Sequence, residues 1–173
     1  MSKAFTTDEA WEEPIIPPRA PIPAGVPNYV TPRGLRLLRE ELATLETERH
    51  RVDADRADEV EYRRRLAILA GRTRDLTARL ASAAVVDPRQ QPHDEVRFGA
   101  SVTLRSLGGQ RDGEERRLEI VGIDEADAAH GRVAFVAPIA RAILGRGVGD
   151  TVALDTPRGK DLLEVVAIHY PAP

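Results

Sequence analysis

The amino-acid sequence predicts an α+β protein in which an N-terminal antiparallel helical hairpin, a coiled coil, precedes a C-terminal antiparallel sheet domain with one short helix. Leucines recur at alternating spacings of three and four between residues 35 and 80, the apolar period switches to two beyond Pro88, and glycine turns punctuate the second half. The 173 residues, 42% of them hydrophobic, allow one or two small domains with appendages.

In residues 1–28, Pro14, Pro17, Pro18, Pro21, Pro23 and Pro27 remove backbone donors and favour extended chain, which predicts a flexible Pro-rich tail with no assigned role. A helix starts at Thr31-Pro32, where the threonine can cap free amides and a proline at the first helical position loses no hydrogen bond. Leu35, Leu38, Leu42 and Leu45 form its apolar seam, which continues weakly to Val52. A matching seam follows in Tyr62, Leu66, Leu69, Thr73, Leu76, Leu80 and Ala83. The polar stretch from Asp53 to Ala57 separates the two, so the arms fold back over residues 29–87, each hiding its leucines against the other. Arms of about 22 and 26 residues at about 1.5 Å per residue are roughly 33 and 39 Å long.

Residues 93–173 read as the sheet domain. Its expected strands lie at 95–98, 101–105, 116–121, 132–136, 151–154 and 162–170, and a helix over 138–144 starts at Pro138 and stops at Gly145.

Composition excludes several classes of function. With no cysteine, disulfides, thiol nucleophiles, zinc ribbons and iron-sulfur clusters are ruled out. His50, His93, His130 and His169 form no ligand-spaced pair, so no protein-built metal site and no cofactor of the chain's own is expected. Aromatic residues at 4% leave little for an aromatic cage, and a net charge of -3 confines any nucleic-acid contact to local patches. No apolar run has the length of a signal peptide or a membrane span, so a cytoplasmic protein is expected, without membrane contact and monomeric.

Two segments, Val96-Arg97-Phe98-Gly99-Ala100-Ser101-Val102 and Ile120-Val121-Gly122-Ile123-Asp124-Glu125-Ala126-Asp127, resemble the Gre family of bacterial transcription elongation factors. Further matches are residues 137–145, 148–152, 156–159 and 164–170, and in the helical half 31–35, 38–42 and 80–87, so the resemblance runs from about Thr31 to Tyr170. It implies a coiled coil, here shortened, that enters the secondary channel of RNA polymerase, and an FKBP-like C-terminal domain that grips the channel rim. Acidic residues at the hairpin tip would then help hold a Mg2+ of the polymerase and promote cleavage of backtracked RNA. The factor would be no enzyme itself.

The family's tip pattern, Gly-Asp-x-x-Glu-Asn-Ala-Glu/Asp-Tyr, aligns with residues 54–62 and assigns the metal-assisting positions to Asp55 and Asp58, with Asp53 and Glu59 as alternates. The turn glycine and the asparagine are absent, and the first and second arms are about ten and three residues shorter than the family's, which costs reach at about 1.5 Å per residue. The resemblance also implies polymerase docking through Asp124, Glu125, Pro138, Ile139 and Arg141, and makes Arg63 and Arg64 candidates for contact with nascent RNA. From the residues alone, Asp58 followed by Glu61 is a helix-capping pattern, and the arginines are a solvated coiled-coil face. Two further readings stand beside the cleavage factor: a channel-binding regulator or inhibitor without cleavage activity, and a peptidyl-prolyl isomerase, suggested only by the fold such enzymes share.

Overall fold

The computed structural model of the protein describes residues 15–157 and 159–170. The expected tail at residues 1–14 and the C-terminal residues 171–173 lie outside the described part.

The hairpin is built from α1 (Pro32–Ala54) and α2 (Glu59–Ala81), each of 23 residues or about 34 Å. Thr31 caps α1 as its sequence position dictates, its hydroxyl accepting from the Gly34 amide at 2.9 Å. Leu38, Leu45, Leu69 and Leu76 are buried together with Val30, and Leu35, Leu42, Val52 and Leu80 pack around them, so most of the predicted seam is observed, while Tyr62, Leu66 and Thr73 are half-buried outside this cluster. At about 25 cal/mol per Å² of apolar area removed from water, this seam is what holds two otherwise polar helices together.

The second arm is shorter than the seam pattern suggests. Ala83, expected as its last seam residue, does pack on the seam, but from a strand, because α2 stops at Ala81. The cause is Asn28, whose side-chain amide donates to the Arg79 carbonyl at 2.9 Å and to Ser82 Oγ at 3.0 Å, satisfying the open end of the helix. The chain then pairs β1 (Asn28–Val30) in parallel with β2 (Ala83–Val85), a two-stranded clasp at the base of the hairpin.

The stretch 15–27 forms no helix or strand, as its prolines require, but it is tied down. Arg19 pairs with Glu41 on α1 and with Asp124 at 3.0 Å, and Arg79 donates to the Ala20 carbonyl. Ile16 lies against Gly71, where a Cβ would collide with its Cδ1. The expected free tail is therefore, in its described part, a strap along the hairpin.

The second half is one five-stranded sheet in the order β5-β4-β3-β7-β6, from β3 (Ser101–Leu107), β4 (Glu115–Val121), β5 (Arg132–Ala134), β6 (Thr151–Thr156) and β7 (Gly159–His169). Its pairings are antiparallel except β4 with β5. Helix α3 (Pro138–Ile143) lays Ala140 and Ile143 on the core of Val102, Leu104, Ile120 and Val165. Residues 95–98, expected as a strand, make only an isolated bridge between Glu95 and Gly147, because the chain turns at Gly99 (φ 85°) and sends Phe98 out of sheet register toward Tyr29 and Phe135. Among the described residues no helix is long and apolar enough to cross a membrane.

Leu76→Ala removes a fully buried seam residue and is expected to cost about 2–5 kcal/mol in urea unfolding, whereas Leu37→Ala, on the exposed side of α1, should stay within about 0.5 kcal/mol.

Candidate functional site

The tip is the loop from Asp55 to Asp58. Helix α1 ends with the Asp55 amide donating to the Val52 carbonyl at 3.1 Å. Asp58 caps α2, its Oδ1 accepting from the Val60 and Glu61 amides at 2.9 and 3.1 Å. The reciprocal half of the capping pattern does not form, because Glu61 turns instead to Arg65 at 2.9 Å.

The four candidate acids are thereby sorted. Asp53 accepts from the Tyr62 hydroxyl at 3.1 Å and faces Arg49 at 3.9 Å, and Glu59 is paired with Arg63 at 2.8 Å. Among the described residues, no side chain or amide claims the Asp55 carboxylate or Oδ2 of Asp58. Of the two RNA-contact candidates, Arg63 is engaged with Glu59, while Arg64 is exposed and without a partner among the described residues. Asp55 and half of Asp58 thus offer hard oxygens at the end of a rod. Two carboxylates are too few to complete the octahedral shell of Mg2+, so any such ion must draw its remaining oxygens from elsewhere. Among the described residues no group of three or more His, Asp or Glu side chains is gathered as a metal ion would need.

Asp124 and Glu125, expected to meet a partner, point inward instead. They sit in a short 3-10 turn, Ile123–Glu125, that is pressed under the start of α1. Glu125, its side chain 2% exposed, accepts from Thr31 Oγ1 at 2.7 Å and from Arg33 Nε at 2.6 Å. Arg33 also reaches Glu119 at 3.0 Å. Burial disfavours the Arg33 charge, but the hydrogen bond to Glu125 and the charges of Glu125 and Glu119 outweigh it and raise its pKa above the ordinary arginine value. Asp124, 11% exposed, lies between Arg19 at 3.0 Å and Arg79 at 3.2 Å, the latter 7% exposed. No hydrogen bond is formed by Asp124 Oδ2 or Arg79 Nη1, so that last link is charge attraction alone. These carboxylates join the hairpin to the sheet domain, a role invisible in sequence because Arg19, Thr31 and Arg33 lie 92 to 105 positions away and Arg79 lies in the other arm of the hairpin. A Cβ at Gly122 would come within 2.6 Å of the Tyr29 carbonyl, so glycine is what lets the turn approach so closely.

The three docking candidates on α3 are placed differently. Pro138 starts the helix and is exposed, Arg141 is exposed with no partner among the described residues, and Ile139 is half-buried against the sheet core. Tyr29, not singled out in the sequence, packs its ring at a tilt 5.7 Å from Phe98 and 5.6 Å from Phe135, while Tyr170 lies apart, stacked on His93 at 4.9 Å.

The family model described as transcription elongation factor, GreA/GreB, C-term, matches residues 91–170. Transcription elongation factor GreB of Neisseria meningitidis serogroup A is 38% identical over 157 residues, covering 83% of this chain and 94% of its own length. Transcription elongation factor GreA of Francisella philomiragia is 37% identical over 155 residues, covering 82% and 95%. Among solved structures, the GreA/GreB factor from Nitrosomonas europaea is 24% identical with a TM-score of 0.40, covering 82% of this chain and 98% of its own.

Glu125→Ala leaves Arg33 facing the gap of a buried acceptor and is expected to cost about 3 kcal/mol in denaturant unfolding, whereas Glu59→Ala, which breaks only an exposed helix pair, should change stability by about 0.5 kcal/mol or less.

Proposed function

The chain belongs to the GreA/GreB family of transcription elongation factors, and on that premise we propose that it binds RNA polymerase at the secondary channel and stimulates cleavage of backtracked RNA. The observation that carries this reading is the sorting of the tip acids: Asp55 and one oxygen of Asp58 stay open, while Asp53 and Glu59 are taken by Tyr62 and Arg63. The open oxygens would hold a Mg2+ of the polymerase, which supplies charge stabilisation at the reacting phosphate when bound. Asp58 does so while its other oxygen fixes the start of α2, so its direction is set by the helix itself. Arg64, exposed and without a partner among the described residues, would meet phosphates of the nascent RNA. Exposed Pro138 and Arg141 on α3 are the docking residues of the sheet domain, and Asp124 and Glu125 act behind them by fixing the hairpin's base. The chemistry belongs to the polymerase, and the factor is a monomeric accessory to it.

A second reading is favoured by one feature, the length of the arms. With 23 residues in each, the hairpin reaches about 34 Å, less than the family pattern implies. A probe that stops short would occupy the channel and regulate the polymerase without cleaving.

Stalled elongation complexes separate the two. With the cleavage reading, the protein shortens the transcript, and Asp55→Asn or Asp58→Asn lowers the rate by roughly tenfold or more while polymerase still retains the variant. Retention of the wild-type protein with no transcript shortening leaves the non-cleaving regulator.

A further inference from the structure

The loop that reverses the chain at the tip contains no glycine, and no residue in it takes a positive φ. It runs instead through extended backbone, with Asp55 at φ -111°, ψ 94° and Asp58 at φ -123°, ψ 112°. All four loop residues are exposed, and a solvated extended turn with so few backbone bonds of its own opens easily. On such a loop the Asp55 carboxylate, which no cap holds, would sample many directions.

Three contacts close a ring around it. Arg56 Nε donates to the Asp53 carbonyl at 3.2 Å, one of the open acceptors at the C-terminus of α1, where the helix dipole favours a cation. The same guanidinium lies over the Tyr62 ring, 5.0 Å from its centroid. Tyr62 in turn donates its hydroxyl to Asp53 Oδ1 at 3.1 Å, bridging α2 back to α1. Arg56 stands in the chain between Asp55 and Asp58, and an arginine there has an obvious alternative: to fold onto either neighbour and neutralise it. Seated on Tyr62 and the helix end, it does neither.

We infer that Arg56 is a positioning residue of the tip. It ties the loop to Asp53 and Tyr62, holds Asp55 in a fixed direction relative to the open oxygen of Asp58, which the α2 cap already directs, and keeps its own charge off both. The consequence for activity rests on the cleavage reading above, whereas the tie itself is a property of the isolated protein.

The experiment uses the full chain with Arg56→Ala, Arg56→Lys and Tyr62→Phe, and reads two quantities. Amide hydrogen exchange across residues 55–62 of the free protein should quicken in Arg56→Ala and Tyr62→Phe, and less in Arg56→Lys, which can stay over the ring but lacks the planar guanidinium donor. On stalled complexes, the saturating cleavage rate should fall roughly tenfold or more in Arg56→Ala, as a displaced reacting group demands, with the half-maximal protein concentration unchanged and partial rescue by lysine. Wild-type exchange and wild-type rate in Arg56→Ala overturn the inference. So does a change confined to the half-maximal concentration, which would make Arg56 a docking residue. If the wild-type chain stimulates no cleavage, the functional reading falls, and the exchange measurement alone decides whether Arg56 holds the loop.

Discussion

A probe is only as well aimed as its base, and here the base is set by one buried carboxylate, that of Glu125. Thr31 serves two masters: its hydroxyl oxygen accepts from the Gly34 amide to start α1, and its proton goes to Glu125. The helix start and the domain junction thereby share one hydroxyl. Gly34 follows from this arrangement, since glycine in a helix ordinarily costs about 1 kcal/mol relative to alanine. A Cβ there would sit 2.6 Å from Glu125 Oε2. The close approach of carboxylate to helix start, with Arg33 supplying the counter-charge, is what that cost secures.

The strap extends the same logic outward. Arg19 touches Glu41 on the hairpin and Asp124 on the sheet domain, and Arg79, on the hairpin side of the junction, shares Asp124 with it. One acid between two arginines is a net positive site placed where little water enters, and Glu41, paired with Arg19, restores the balance around it. Such a cluster stabilises chiefly by geometry, because desolvation takes back much of what attraction gives. Its use is orientation, and orientation is what a rod about 34 Å long needs at its root.

How much of this was legible depended on range. The leucine seam was readable because its signal repeats within each helix, and the cap at Thr31 and the stop of the sheet-domain helix near Gly145 are local as well. The strands β3, β4, β6 and β7 followed from alternation, with ends off by a few residues. What escaped was long-range: the clasp of β1 with β2 pairs residues some 55 positions apart, and nothing near Asn28 announces that its amide will end α2. The inward pairing of Asp124 and Glu125 escaped for the same reason, their arginines lying in another part of the chain. At the tip, sequence named four acids but not which were open, since the Tyr62 hydroxyl reaches Asp53 across the turn and only the Glu59 pairing with Arg63 follows helical spacing.

Asp58 shows why capping and metal-assisting roles need not compete. A carboxylate has about four lone-pair sites, and the α2 cap uses only one oxygen, Oδ1, for both amides. A longer glutamate would reach further but could not cap in the same way, because the short aspartate arm is what brings Oδ1 onto the helix-start amides. The shorter residue therefore exchanges reach for direction: Oδ2 points wherever the first turn of α2 puts it. Asp55, with no partner among the described residues, has reach without direction of its own, and the two acids are complementary only so long as the loop between them is held still.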